Sequence, residues 1–346
     1  MSTILVTGGC GFIGSCFIRQ LFQKGGDPNV NVINIDKLTY AGHEENLPEA
    51  IRCDPRYRWH RTCITNRRAI AEILSESQPD AIVHFAAESH VDRSISSADP
   101  FVSSNVVGTV TLLDESLAMI RARAMQSDFR FIHISTDEVY GSLGKDGCFT
   151  ESSPQRPSSP YAASKAAAEM FVRAYQTTHS LPTIITHCSN NYGPYQHSEK
   201  LIPLMILRAA GGQPMPVYND GSNIRNWLHV TDHCDAIARV LQRGRAGQTY
   251  HIGGHAERTN IDVVQSIADA VDERLGRPTG SSRRLIEFVD DRPGHDYRYA
   301  LDSSKTEAEL NWRPAVSFES GLMETIDWYL AADDWITATA SNVHHG

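Results

Sequence analysis

The sequence predicts an α/β fold: a doubly wound parallel sheet followed by a smaller C-terminal α/β region that binds substrate. Three observations carry this. Over the first half of the chain, short apolar strand-like runs alternate with amphipathic helical segments, the pattern of repeated βαβ units. The first run, residues 3–7, leads into Gly8-Gly-Cys-Gly11-Phe-Ile-Gly14 and then a segment of period 3.6 (Phe12, Cys16, Phe17, Ile18, Leu21). The second run, residues 31–36, ends in Asp36, 22 residues after Gly14. A glycine turn between strand and helix lets a backbone approach a pyrophosphate, and the helix N-terminus favours its charge. Alone the pattern is weak, since a tight strand–helix turn can also produce it. With an acidic group at the next strand end, placed for a ribose 2′-hydroxyl, it reads as a Rossmann-like NAD site that would repel a 2′-phosphate.

Composition bounds the rest. The 346 residues suffice for one or two domains, read as 1–198 (mainly cofactor) and 199–332 (mainly substrate), with later segments free to return to the first, and a tail at 333–346. A net charge of −9 argues against a nucleic-acid binder, while leaving room for a local basic pocket for a diphosphate. No apolar run approaches the roughly 18 residues of a membrane span, and the chain enters a strand with no signal peptide, so a cytoplasmic location is expected. Seven cysteines without a CxxC pair suit a reducing compartment and argue against a metal site. His344 and His345 read as part of a mobile tail.

In chain order, a third strand is expected at 81–85, running into Ala86-Ala-Glu-Ser-His-Val-Asp-Arg-Ser94, which either lines the site or forms a solvated loop. A helix over 100–123 presents Val106, Val110, Leu113, Leu117 and Ile120 to the core or to a partner. The strand at 129–134 ends in Ser135, Thr136, Asp137 and Glu138. A hydroxyl and two carboxylates beyond a strand's carboxyl end are poor core material and good catalytic material. After a loop rich in Gly, Ser and Pro comes a helix to about residue 179, on which Tyr161 and Lys165 share a face. A lysine beside a phenol favours the phenolate. A strand at 183–188 delivers Asn190 and its polar neighbours. Later come a helix at 201–210, Arg225 in a polar turn near an aromatic, helices at 231–242 and 261–275, a strand at 249–252, and a charged segment, 288–296, that is either a turn or a loop closing on a ligand with Arg292. Arg225 is either a phosphate partner or a surface ion pair.

These motifs resemble the extended short-chain dehydrogenase/reductase family and, within it, the dTDP-glucose 4,6-dehydratases. The glycines and Tyr161-x-x-x-Lys165 are family-wide. Thr136-Asp137-Glu138-Val-Tyr-Gly141, Asn190-Asn-Tyr-Gly-Pro-Tyr195, Glu199-Lys200-Leu-Ile-Pro203 and Asp291-Arg-Pro-Gly-His-Asp296 are sharper. The resemblance implies a homodimer and NAD held by Gly8, Gly11, Phe12, Ile13, Gly14, Asp36, Lys37, Thr39, Cys63, Ile64, Ala86, Ala87, Tyr161, Lys165 and Asn190. It implies a dTDP-sugar held by Ser89, His90, Thr136, Asn190, Lys200, Leu201, Pro216, Tyr218, Arg225, Asn260, Arg292 and His295. Departures are Cys63 where an adenine-binding Asp is usual, His187 for Arg, Asn219 for Gly and His251 for Asn.

The implied catalytic set is Thr136, Asp137, Glu138, Tyr161 and Lys165: Tyr161 as base at the sugar 4-hydroxyl, Glu138 as base at C5, protonated Asp137 as acid toward the 6-hydroxyl. Adjacent carboxyls push their pKa values apart and so provide both forms. On an extended strand, however, neighbours point to opposite faces. The backbone is therefore expected to bend, or helical geometry to begin, near Thr136. Rival readings are a UDP-sugar dehydratase, a 4-epimerase, and a non-catalytic NAD-binding regulator.

Overall fold

The computed structural model describes residues 2–23, 28–123 and 129–340. In chain order the strands are β1 (Ser2–Thr7), β2 (Val30–Asp36), β3 (Tyr57–Arg61), β4 (Ala81–His84), β5 (Arg130–Thr136), β6 (Thr183–Cys188), β7 (Asn190–Tyr192), β8 (Met215–Tyr218), β9 (Ile224–His229), β10 (Thr249–Ile252), β11 (Glu257–Thr259) and β12 (Ile286–Val289). The longer helices are α1 (Phe12–Phe22), α2 (Arg67–Ser77), α3 (Gly108–Ala122), α4 (Pro160–His179), α5 (Leu201–Ala210), α6 (Val230–Arg243), α7 (Asn260–Arg274), α8 (Phe318–Ala331) and α9 (Asp333–Ala340). None of the described helices is long and apolar enough to cross a membrane.

Among the described residues, seven parallel strands form the main sheet in the order β3-β2-β1-β4-β5-β6-β10. The chain winds outward from β1 to one side and from β4 to the other, so the topological switch lies between β1 and β4, where open α/β sheets bind ligands. The inner strands are almost wholly buried because helices cover both faces. In β1, Ile4 and Val6 belong to the core beneath α1 and α6, whereas Leu5 belongs to the core beneath α2 and α3. A second core joins α5, α7 and α8, with Met205, Ile267 and Ile326 buried in it. There β11, β9 and β7 form a three-stranded sheet, and β8 pairs with β12.

The structure differs from the sequence reading at four places. The strand at 81–84 is the fourth, not the third. Edge strand β3, Tyr57-Arg-Trp-His-Arg61, fully buries only Tyr57, so its polar side chains hide the strand pattern. The helix expected from residue 100 begins with Asp99–Phe101 and continues through a π-helical stretch, Val102–Val107, before α3. Its deepest side chains include Leu112, Leu113 and Met119. Of the positions named from periodicity, only Leu113 is fully buried; Val106, Val110, Leu117 and Ile120 are half-buried, because the buried face carries Thr109, Leu112, Ser116 and Met119, and its polar members hide it from an apolar count. Arg225 lies on β9, paired with Arg258 of β11, rather than in a turn.

The fourth difference is the tail. Residues 333–340 form α9, and Trp335 packs among Tyr195, Trp328 and Tyr329 while its Nε1 donates to Asn46 Oδ1 at 2.8 Å. A short apolar segment with one tryptophan has too little periodicity to announce this. His344 and His345 lie outside the described residues. Because a buried tryptophan anchors α9, Trp335→Ala is expected to cost about 3 kcal/mol. Denaturant unfolding would check this, and an unchanged midpoint would show that α9 adds nothing.

Candidate active site

The glycine turn is built by close approach. Gly8 takes φ +72°, and a Cβ there would stand 2.7 Å from the Ala86 nitrogen; one on Gly14 would stand 2.3 Å from the Gly8 carbonyl oxygen. No side chain caps the N-terminus of α1, so its amide groups are available to an anion at the switch point. Asp36, at the end of β2, accepts from the amides of Cys10 (2.9 Å) and Leu38 (2.9 Å), which fixes the turn. Burial raises its carboxyl above the usual range, and those two amides oppose the rise. The Cys10 carbonyl is held by Asn46 Nδ2 (2.8 Å), the same side chain that Trp335 holds.

These elements open on a cavity of about 320 Å³. Gly8, Gly11, Phe12, Ile13, Gly14, Asp36, Lys37, Thr39, Ile64, Ala86, Ala87, Tyr161, Lys165 and Asn190 all line it. Cys63 does not: its thiol turns to Thr65 Oγ1 at 3.1 Å. The Asn190 Oδ1 atom is buried with no hydrogen-bond partner among the described residues. A cradle that side chains would fill, an uncapped helix end and an acid at the second strand together fit a dinucleotide.

The expected bend is present. Thr136 is still extended (φ −136°, ψ 153°), and a 3₁₀ turn, Asp137–Tyr140, starts at the next residue. Thr136 Oγ1 caps it by accepting from the Glu138 amide at 3.3 Å. The turn brings Thr136, Asp137 and Glu138 together on the cavity wall. Asp137 is 1% exposed, and its Oδ2 has no partner among the described residues. Burial, and then the neighbouring Glu138 charge, push its carboxyl up to about 8. Burial raises Glu138 too, but Arg292, Arg225 and Lys200 pull it back. Both carboxyls are thus raised by burial, and cations oppose the rise: Arg225 at Asp137, and Arg292, Arg225 and Lys200 at Glu138.

Helix α4 begins at Ser159, whose Oγ accepts from the Ala162 amide at 3.1 Å, with Pro160 at the first helical position. Tyr161 and Lys165 both line the cavity, but their relation differs from the sequence reading. The Lys165 ammonium donates to the Ile134 carbonyl at 2.7 Å. Burial raises the Tyr161 phenol well above its usual value, and Glu138 adds to this, while the Thr136 hydroxyl opposes it. Lys165 itself is lowered to about 8 by burial. The lysine alone therefore does not make the phenolate: in the protein without cofactor, desolvation and two carboxyls outweigh it.

The residues expected to hold substrate divide into two groups. Ser89, Thr136, Asn190 and Lys200 line the cavity. His90, Leu201, Pro216, Tyr218, Arg225, Asn260, Arg292 and His295 do not. Several of these gather around Asp92: Arg292 stands 3.6 Å from it, Tyr218 Oη donates to it at 3.3 Å, and the His295 ring lies 5.8 Å from that of Tyr218; Arg292 also acts on the Glu138 charge. Arg225 is 6% exposed, stacks 4.6 Å over the Tyr299 ring and donates to the Asp296 carbonyl at 3.0 Å. Leu201 joins the second core, His90 caps the helical turn Val91–Ser96, Pro216 lies on β8 and Asn260 begins α7.

Sequence reasoning missed Asn105. Buried in the π-helical stretch, it accepts from the Glu88 amide (2.8 Å) and donates to Ser164 Oγ (2.8 Å), clamping the 86–94 segment to α4. The serines beside it make the stretch look polar and solvent-facing, so the sequence carries no signal that Asn105 is buried. Gly42, Gln196, His197 and Glu199, which also line the cavity, lie in loops whose proximity no local pattern reveals.

The sequence profile of the GDP-mannose 4,6 dehydratase family matches residues 5–325. The chain belongs to this family. Within the 4,6 dehydratase family it is 50% identical to a dTDP-glucose 4,6-dehydratase of Neisseria meningitidis, over 97% of this chain and 95% of the relative. It is also 50% identical to one of Escherichia coli, over 96% and 94%. A solved dTDP-glucose 4,6-dehydratase of Streptomyces venezuelae with NAD bound superposes with a TM-score of 0.89 at 47% identity, covering 97% of this chain and 99% of that one. A UDP-glucose 4-epimerase of Thermus thermophilus, also with NAD, gives 0.83 at 26% identity, covering 95% and 99%.

The Asp137 environment in this 4,6 dehydratase family member has a stability consequence. An unfolded Asp titrates near 4, so between about pH 4 and 8 the folded state binds more protons and stability falls as pH rises. Asp137→Asn removes that dependence. Melting of cofactor-free protein should show the variant gaining on the parent from pH 5 to pH 8; parallel curves would show Asp137 to be ionised.

Proposed function

We propose that the protein is a dTDP-glucose 4,6-dehydratase, a hydro-lyase that converts dTDP-glucose to dTDP-4-keto-6-deoxyglucose and water. The observation that carries the reading is Asp137: a buried carboxyl, pushed up to about 8 by burial and the neighbouring Glu138, with one oxygen unpartnered among the described residues, on the same cavity wall as Glu138 and Thr136. A 4-epimerase needs no second acid. The relatives at about half identity carry the dehydratase name.

NAD held in this cradle would supply the hydride acceptor for sugar C4 and the hydride donor for C6. In the cradle Gly8, Gly11 and Gly14 make room for its diphosphate, and Asp36 faces its ribose. Tyr161 would take the proton from the 4-hydroxyl, helped by Lys165 and, once oxidised cofactor is bound, by its positive charge. Thr136 hydrogen-bonds the C4 oxygen. Once C4 is a ketone the C5 proton is acidic; Glu138 removes it and Asp137 protonates the departing 6-hydroxyl. Glu138 then returns the proton to C5. Lys200, Arg225 and Arg292 neutralise the sugar diphosphate.

The same reading places residues 1–198, with β10, in a cofactor unit and most of 199–332 in a substrate unit. The exposed Val102, Val107, Met170 and Phe171 supply an apolar face for a homodimer. The seven free cysteines suit a reducing cytoplasm.

Incubating the protein as purified, without added cofactor, with dTDP-glucose and separately with UDP-glucose tests the reading. Loss of one water's mass from dTDP-glucose supports it. Loss from UDP-glucose alone moves the nucleobase, and no loss even with added NAD overturns it. Glu138→Gln is expected to lower elimination roughly a hundredfold or more while 4-oxidation persists; full turnover would remove Glu138 from its role. Turnover should also fall as pH rises past about 8, where Asp137 loses its proton; a pH–rate profile flat to pH 10 would contradict this.

A further inference from the structure

We infer that Glu169 is a positioning residue of this site: its buried carboxylate locks α4 against β5 and serves as the counter-charge of Lys165. The inference rests on the dehydratase reading above. Tyr161, Lys165 and Glu169 are spaced four apart, so they form one stripe along α4. The stripe meets consecutive groups of β5. Lys165 reaches the Ile134 carbonyl at 2.7 Å, and the Ser135 hydroxyl donates to Glu169 Oε1. These two bonds set how α4 sits along β5, and therefore where Tyr161 stands relative to Thr136.

Glu169 is fully buried, and a carboxylate so placed is costly unless paired and hydrogen-bonded. It is both. His187 Nε2 lies 2.8 Å from Oε1, Gln155 Nε2 donates to Oε2 at 2.5 Å, and Arg173 stands 3.9 Å away. These partners hold its carboxyl below the usual range against the effect of burial. One helical turn along α4 from Lys165, the carboxylate is placed to oppose the loss of the lysine proton that burial favours.

Of the other groups packed around the pair, Arg173 and His187 share the Glu169 carboxylate, and Asp137 and Glu138 line the same cavity as Lys165. Burial keeps His84 and His133, on β4 and β5, neutral, and keeps Cys188 a thiol. Tyr140 stays a phenol, with its hydroxyl 3.2 Å from His187 Nδ1 and 2.8 Å from His251 Nε2; burial keeps His251 neutral. A second effect follows at Ser135. With its proton committed to Glu169, this cavity-lining hydroxyl offers only lone pairs to what binds there.

The test compares Glu169→Gln with Glu169→Asp. Lys165 is followed by NMR titration of its labelled side chain. The oxidation half-reaction is followed with a dTDP-sugar lacking the 6-hydroxyl, so that Asp137 is not used and reduced nicotinamide accumulates. In Glu169→Gln, Lys165 should lose its proton at least about one pH unit earlier. The alkaline limb of the half-reaction should move with it, with KM unchanged. Glu169→Asp, which keeps the charge, should return both toward the parent values. A folded Glu169→Gln with the parent's NAD content, Lys165 titration and pH limb would overturn the inference. If that variant does not fold, carboxyl NMR of Glu169 in the parent protein decides: ionisation across about pH 5–9 supports the inference, and protonation at neutral pH overturns it. A parent protein that forms no reduced nicotinamide refutes the dehydratase reading instead.

Discussion

The site depends on a strand that stops being a strand at one residue. Up to Thr136, β5 is a buried central strand whose side chains alternate between two covered faces. From Asp137 the backbone coils into a 3₁₀ turn. Without that change Asp137 and Glu138 would face opposite layers. Thr136 is the hinge: its hydroxyl caps the turn and bears on Tyr161. The turn closes at Gly141, where φ is +78° and a Cβ would meet the Arg156 carbonyl oxygen at 2.3 Å. The chemistry of the carboxyl pair thus follows from backbone geometry that places one in a dry wall and the other nearer the cations.

Those cations come from elsewhere in the chain. Arg225 is held on β9, and Arg292 on the 290–296 segment. Asp296 anchors that segment by accepting from Ser158 Oγ at 2.5 Å and Tyr299 Oη at 2.6 Å, next to the residue that caps α4. The start of the catalytic helix and the loop bearing a cation for Glu138 are therefore mechanically joined. A shift of either would change the distance between base and cation, and with it the balance between the two carboxyls.

Much of this was legible. The glycine turn, Asp36, the Thr136 cluster and the Tyr161 helix each rest on local sequence, and the parallel sheet follows from alternation. What was not legible depends on contact between distant segments. β3 was missed because an edge strand shows its polar side. Arg225 was read as a turn residue because the polar stretch before it obscures β9, and α9 was missed because one tryptophan carries its packing. The effect of Lys165 on Tyr161 was overstated because spacing along a helix gives a shared face but not the competing Ile134 carbonyl, nor the depth of burial. Cys63 followed motif position, whereas side-chain direction turned it toward Thr65.

The placement of β10 has a consequence for how the protein assembles. This strand pairs with β6 in parallel register, Thr249 opposite Ile185 through Ile252 opposite Cys188, yet some sixty residues of chain, including much of the second core, separate the two. Until β10 arrives, β6 is an open edge of bare amide and carbonyl groups, the kind that recruits foreign strands. Long-range parallel pairing is also slow to form. The edge next to the strand that carries the catalytic residues is therefore covered late, and β10 then takes its place as the edge of the sheet.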